Sequence, residues 1–300
     1  MAKKLGITLS GGGIRGMAHI GVLQALEEEG LSPSTVSGAS AGALVGALYA
    51  AGHQPKDILK VFKESSLTRL FKVGIPGSGL TRNDYLIEVL QELIPEDNFA
   101  CLQREFHVSV TNMTTGQYEI KSEGELYRIL AASASIPILF NGWEVNQELL
   151  VDGGVLNNLP VEPLLGRCYP IIGVNVTPII RKDNLGGLLD VGYRAFDLVM
   201  WGSVEPRLKQ CDLVLQPQAQ RYALFDVKAI DEIYQLGYET AKAEIPRLKK
   251  KMKLLHGSST NSSPSTQRND ARDPVAGMSN GSEDNVKRNI WTRIKGWFGN

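Results

Sequence analysis

Thr35-Val36-Ser37-Gly38-Ala39-Ser40-Ala41-Gly42-Ala43-Leu44-Val45-Gly46-Ala47-Leu48-Tyr49 passes from β-compatible residues through a G-x-S-x-G pentad into small and apolar residues suited to a buried helix. Strand, sharp turn and helix is the setting in which this pentad puts a serine on a nucleophile elbow. So tight a turn leaves no room for bulk two residues before or after the serine, and here Gly38 and Gly42 flank Ser40. At the helix N-terminus, Ser40 would sit beside free N–H groups and the positive end of the helix dipole, both of which favour developing negative charge. A chain with 31 glycines can contain the pentad by chance, so its meaning depends on its surroundings.

Upstream, Leu5-Gly6-Ile7-Thr8-Leu9 reads as a strand that stops at Ser10-Gly11-Gly12-Gly13-Ile14-Arg15-Gly16. From Met17 to Glu29, Ile20, Leu23 and Leu26 with Ala18, Val22 and Ala25 mark one helical face, ending before Gly30. This G-x-G-x-x-G follows a strand and opens a helix, as a dinucleotide site would require. That reading also needs an acidic residue at the end of the second strand, where this chain has Gly38-Ala39-Ser40. The glycines fit a different use better: backbone N–H groups of Gly11, Gly12 and Gly13 aimed at the oxygen of a reacting carbonyl. Two adjacent parallel strands would bring both turns to one carboxyl edge of a sheet. Arg15 would offer charge to an anionic substrate, or pair with a surface carboxylate such as Glu27 or Glu28.

Downstream, Lys56 to Lys63 and Asn83 to Leu93 read as helices, separated by the glycine-containing stretch Gly74–Gly79, a lid or a connector. Phe106 to Thr111 alternates as a strand and pairs with Gln117 to Lys121 across Met113-Thr114-Thr115-Gly116. Glu125 to Ser135 is a small-residue helix stopped by Pro137. Trp143-Glu144-Val145 and Leu149-Leu150-Val151 form a hairpin that runs directly into Asp152-Gly153-Gly154, where a carboxylate can emerge unobstructed or the chain can merely turn. Pro170 to Val176 is a buried strand, Leu185 to Ser203 a helix, Asp212 to Leu215 a last strand, and Asp226 to His256 mostly helix.

Three hundred residues with 43% hydrophobic content suffice for one large core. Lysines and arginines number 32, as do aspartates and glutamates, so net charge gives no reason to expect nucleic acid as partner. Cys101, Cys168 and Cys211 are widely spaced and odd in number, which suggests neither a disulfide framework nor a metal site and fits a reducing cytoplasm. No stretch approaches the roughly 20 apolar residues needed to span a bilayer. After residue 256 the composition changes: 257–285 is rich in Ser, Asn, Gly and Pro and reads as a disordered linker. In 286–300, Ile290, Trp291, Ile294, Trp297 and Phe298 share one helical face beside Lys287, Arg288, Arg293 and Lys295. Such a segment fits an anchor to the anionic inner face of a cell membrane; it could equally dock on its own domain or on a protein partner.

Taken together, Gly11-Gly12-Gly13-Ile14-Arg15-Gly16, Gly38-Ala39-Ser40-Ala41-Gly42 and Asp152-Gly153-Gly154 resemble, in their order, the three signatures of the patatin-like phospholipases. Ala132-Ser133-Ala134-Ser135-Ile136-Pro137 resembles the segment that precedes the aspartate in that family. The likeness covers about residues 5 to 215, with the helix to 256 taken into a domain of 1–256. It implies a three-layer α/β/α fold with a mainly parallel central sheet. It further implies a dyad of Ser40 as nucleophile and Asp152 as base, with Gly11 to Gly13 as oxyanion hole, Arg15, Gly16, Gly38, Gly42, Gly153 and Gly154 in support, and no metal or cofactor.

The histidines agree with a dyad. A Ser-His-Asp hydrolase expects its histidine after the acid, whereas His19, His53 and His107 precede Asp152 and His256 borders the linker. A carboxylate with a pKa near 4 is a poor base for a serine hydroxyl, so Asp152 would need an apolar pocket and direct contact with Ser40. The expected activity is hydrolysis of fatty-acyl esters, phospholipid or lysophospholipid, through an acyl-enzyme. The alternatives are acyl transfer on the same dyad, and a membrane-associated regulatory protein with little turnover.

Overall fold

The computed structural model describes residues 4–64, 84–137, 139–183 and 185–257. The Gly74–Gly79 stretch, the linker after residue 257 and the segment 286–300 lie outside the described residues. The chain divides into a compact unit Met1–Met252, which holds the sheet and the site, and a second unit Lys253–Asn300, of which only the end of the last helix is described.

Among the described residues eight strands make one sheet: β1 (Lys4–Leu9), β2 (Thr35–Ala39), β3 (Glu105–Asn112), β4 (Gln117–Lys121), β5 (Trp143–Val145), β6 (Glu148–Asp152), β7 (Cys168–Val174) and β8 (Leu213–Leu215). The helices are α1 (Met17–Glu28), α2 (Ala41–Ala50), α3 (Pro55–Glu64), α4 (Asp84–Leu93), α5 (Leu126–Ser133), α6 (Leu188–Leu208) and α7 (Ile230–Gly257). The strand order is β5-β6-β3-β2-β1-β7-β8, with β4 also on β3. Pairing is parallel from β3 through β8 and antiparallel around β4, β5 and β6. With parallel strands joined by the usual right-handed crossover, α1 and α2, which touch each other, belong to one face, and α6, which leads in the opposite direction from β7 to β8, to the other. The central strands are therefore covered on both faces, and Ile7, Leu9, Val36, Val108, Ile172 and Val174 are all completely buried. This mixed, mostly parallel sheet with flanking helices is the α/β architecture the motifs predict.

The register around β3 decides the site. A strand has two edges, and at any residue each edge takes one neighbour. β2 pairs with Glu105 to Ser109 and β4 with Val108 to Asn112, so the overlap at Val108 and Ser109 puts β2 and β4 on opposite edges. β6 pairs with Val110 to Asn112, where β4 already holds its edge, so β6 shares the edge of β2. Since β6 runs against β3 and β2 runs with it, β2 and β6 meet there with their C-terminal ends facing each other.

Boundaries differ from the sequence expectation in a few places. β2 runs through Gly38 and Ala39, poor strand formers by propensity, because Gly38 is paired on both sides, with Leu9 and with Val108. α6 begins later and continues to Leu208, with Pro206 in its last turn. β7 ends at Val174, after which the Asn175 N–H donates to the Leu215 carbonyl. No helix among the described residues is long and apolar enough to cross a membrane.

Candidate active site

β2 ends at Ala39 and α2 begins at Ala41, so Ser40 alone makes the turn, at φ 51° and ψ −124°, a backbone region that side-chain-bearing residues rarely occupy. Its carbonyl accepts from the N–H groups of Ala43 (2.9 Å) and Leu44 (3.1 Å), and its own N–H donates to Ser133 Oγ (3.0 Å). Ser133 in turn donates to the Ser109 carbonyl on β3 (2.8 Å), tying the elbow to the middle of the sheet. A β-carbon at Gly38 would lie 2.5 Å from the Gly42 carbonyl oxygen, and one at Gly42 would lie 2.3 Å from that of Leu9. Both contacts are with backbone, which explains the glycines of the pentad more directly than any need for unusual dihedral angles.

Asp152 arrives from the other direction. Ala39 stands opposite Ser109 and Asp152 opposite Val110 on the same edge of β3, so Ser40 and Asp152 meet where the two strand ends face each other. The Asp152 N–H donates to the Ser135 carbonyl (3.0 Å), and Oδ1 accepts from the Gly154 N–H (2.7 Å). The Ser40 side chain lies close enough to the same carboxyl group to favour its ionised form. Burial raises the Asp152 pKa from 3.8 to about 7, against the two hydrogen bonds from Ser40 and Gly154, which favour the ionised form.

The glycine loop lies at the carboxyl edge of β1, beside the elbow, as the parallel β1–β2 pair requires. Ser10 fastens its start: its N–H donates to the Val174 carbonyl (3.0 Å), and its Oγ accepts from the Val176 N–H (3.1 Å). The buried His19 holds the Ser10 carbonyl through Nε2 (2.7 Å), and burial keeps this imidazole neutral by lowering its pKa to about 4. Of the three expected oxyanion donors the structure leaves two. The Gly11 N–H is already taken, by Asn158 Oδ1 (3.1 Å) and the Asn158 carbonyl (3.3 Å), whereas no hydrogen bond among the described residues engages the N–H groups of Gly12 and Gly13. Gly13 and Ser40 line a common small cleft, open to solvent, walled by the apolar side chains of Leu44, Ala134, Ile136, Phe140 and Phe225.

Arg15 does not pair with Glu27 or Glu28. Glu27 is engaged by Tyr49, Ser32 and Arg104, and Glu28 by Gln24, Tyr238 and Lys242. Instead Arg15 Nε donates to the Tyr222 carbonyl (2.9 Å), and the guanidinium lines a neighbouring hollow with Thr177, Asp197 and Met200. Burial lowers its pKa, and the Asp197 carboxylate opposes that shift. Gly16 packs tightly on α2, since a β-carbon there would lie 2.7 Å from that of Ala41, and one at Gly153 would lie 2.2 Å from the Ser109 carbonyl oxygen. His53 is held by the Leu93 carbonyl and His107 by Glu105.

Two residues at the site escape the sequence reading. Ser133, which receives the Ser40 N–H, stands in a stretch read as small-residue helix and as resembling the family's segment before the aspartate, with no role given to its hydroxyl. Asn158 sits six residues beyond Asp152, completely buried. Its only signal is a pair of asparagines inside the otherwise apolar Leu156-Asn157-Asn158-Leu159-Pro160-Val161, a pattern that marks a buried polar group with a partner elsewhere.

Comparison with known proteins bears on this arrangement as a whole. The chain is 29% identical over 271 residues to an uncharacterized NTE family protein of Mycobacterium tuberculosis, covering 81% of this chain and 46% of that one. It is 27% identical over 268 residues to lysophospholipase NTE1 of Saccharomyces cerevisiae, covering 78% of this chain and 16% of that one. It therefore spans less than half the length of these curated relatives. Among solved structures, VipD from Legionella pneumophila matches at a TM-score of 0.49 and 17% identity, covering 83% of this chain and 67% of that chain. Human GIVD cytosolic phospholipase A2 matches at 0.47 and 11%, covering 85% and 60%. The sequence model described as patatin-like phospholipase matches residues 7–165, a span that takes in the glycine loop, the elbow and the Asp152 turn, and the chain belongs to that family.

Proposed function

We propose that the chain is a serine lipid acyl hydrolase in which Ser40 is the nucleophile, Asp152 its general base, and the N–H groups of Gly12 and Gly13 the oxyanion donors. One observation carries this reading: a serine at a strained strand-to-helix turn meets, across the shared edge of β3, a buried carboxyl group whose pKa is raised to about 7. At pH 7 a large share of Asp152 is ionised yet still basic enough to accept a proton. Ser40 Oγ attacks the ester carbonyl as its proton passes to Asp152, and the carbonyl oxygen becomes an oxyanion facing the glycine loop. Collapse breaks the ester C–O bond, and Asp152 returns the proton to the departing alcohol or lysolipid. Water then attacks the acyl-Ser40 ester, again giving its proton to Asp152, and the fatty acid leaves as Ser40 regains its hydrogen.

The apolar cleft walls support a fatty-acyl chain as the group bound beside Ser40. Membership of the family and the lysophospholipase name of the yeast relative support phospholipid or lysophospholipid as the ester. The test is labelling by a fluorophosphonate probe, read by intact mass in wild type and Ser40→Ala, followed by a panel of lipid esters. A single adduct lost in the variant, with turnover of an acyl ester, is the expected result. An unlabelled wild type, or a Ser40→Ala protein that still hydrolyses the ester, would overturn the assignment.

A further inference from the structure

The carboxamide of Asn158 stands between the two halves of the site. A β-carbon added to Gly11 would lie 2.4 Å from Asn158 Oδ1 and 2.9 Å from Ser40 Cβ. One added to Gly154 would lie 2.8 Å from Asn158 Oδ1 and 2.9 Å from Asp152 Oδ1. One amide oxygen thus occupies the space beside both the glycine next to the nucleophile and the glycine next to the base. Glycine at each position makes room for it. The Asn158 backbone N–H donates to Ser203 Oγ (3.2 Å), which donates to the Met200 carbonyl (2.7 Å), so the residue is also moored to α6.

The amide orientation follows from its partner. The Gly11 N–H is a donor, so Oδ1 must face it, and a flipped amide would set donor against donor. Nδ2 is then left buried with no hydrogen-bond partner among the described residues. An unpaired buried donor weakens the fold, and an aliphatic side chain of similar size would avoid that penalty. An asparagine kept here in spite of it points to what its oxygen does for the loop.

We propose that Asn158 is the positioning residue that holds the glycine loop in register with the Ser40–Asp152 pair, by taking the Gly11 N–H so that those of Gly12 and Gly13 remain turned to the reacting carbonyl. This deepens the hydrolase reading and rests on it. Asn158→Leu removes the side-chain acceptor at similar volume and leaves the Gly11 N–H only the longer bond to the residue's own carbonyl (3.3 Å). kcat for an acyl ester falls about a hundredfold, the typical loss for one oxyanion donor, while KM stays within about threefold. Amide hydrogen exchange in the peptide covering Ser10 to Ile14 rises in the same variant, a readout that requires no turnover.

Asn158→Asp keeps an oxygen for Gly11 but sets a second carboxyl group beside Asp152. The groups acting on Asp152 now are burial, the Ser40 hydroxyl and the Gly154 N–H, with no charged side chain among the described residues. A new carboxyl neighbour therefore moves the acid limb of the kcat/KM profile upward by a pH unit or more. A kcat within twofold of wild type in Asn158→Leu, or unchanged exchange at Ser10 to Ile14, overturns the proposal. Should Asn158→Leu not fold, an unmoved pH profile in Asn158→Asp overturns it alone. A wild type that takes no fluorophosphonate label sinks the hydrolase reading instead, and the exchange measurement still judges the hold on Gly11.

Discussion

Replacing Asp152 by Asn separates what the carboxyl group does for chemistry from what it does to the fold. Asp152 is 3% exposed, and its pKa of about 7 stands roughly 3 units above the ordinary 3.8. In the unfolded chain the group ionises near pH 4; in the folded protein it keeps its proton to about pH 7. The folded state therefore loses stability as pH rises between those values, by about 1.4 kcal/mol per unit, and the loss levels off above pH 7 at roughly 4 kcal/mol. Asn carries no such dependence. The stability gap between Asp152→Asn and wild type should thus widen in favour of the variant by roughly 2 to 3 kcal/mol from pH 5 to pH 8, about 5 to 10 °C in Tm. His19, whose lowered pKa pulls stability the other way as the solution is acidified, is common to both proteins and cancels in the difference. Thermal or urea unfolding at the two pH values measures the gap. A constant gap would show that Asp152 titrates in the folded protein where it does in the unfolded chain, and the basis for its role as a base would fall.

Other expectations follow from the same geometry. kcat/KM for an acyl ester should rise with pH along an apparent pKa near 7, because only ionised Asp152 can accept the Ser40 proton; a flat profile from pH 5 to 8 would contradict this. Ser40→Gly should be more stable than Ser40→Ala by about 1 to 2 kcal/mol, since glycine alone adopts φ 51°, ψ −124° without strain, and equal unfolding midpoints would show the elbow is relaxed. Gly42→Ala should lower stability by roughly 1 to 3 kcal/mol and abolish labelling of Ser40, because its β-carbon meets the Leu9 and Ser10 carbonyl oxygens at 2.3 and 2.6 Å; unfolding at the wild-type midpoint would refute the contact.

Much of this arrangement is readable without coordinates, and the reasons are local. Apolar spacing sets α1 and α4, alternation sets β3 and its hairpin partner β4, and the Asn146-Gln147 turn, both residues with positive φ, sets β5 and β6. The catalytic candidates are legible because glycine at fixed offsets from Ser40 and after Asp152 reports where backbone must approach backbone. The rest is not local. No pattern in β3 says that β2 and β6 share its edge, because that depends on which strand occupies the other edge. The engagement of the Gly11 N–H is hidden for the same reason, since its partner Asn158 is nearly half the chain away and is recognised only once β6 has folded back.

The shared edge of β3 also governs timing. A growing chain that has emerged past Ser40 has an elbow but no base, and the template strand between them does nothing until residues 148–152 dock against it from the opposite direction. The proposed nucleophile and base are brought together by splint rather than by sequence. On the proposed mechanism, half-made copies are for that reason chemically silent, and completion of the sheet is the event that arms the serine.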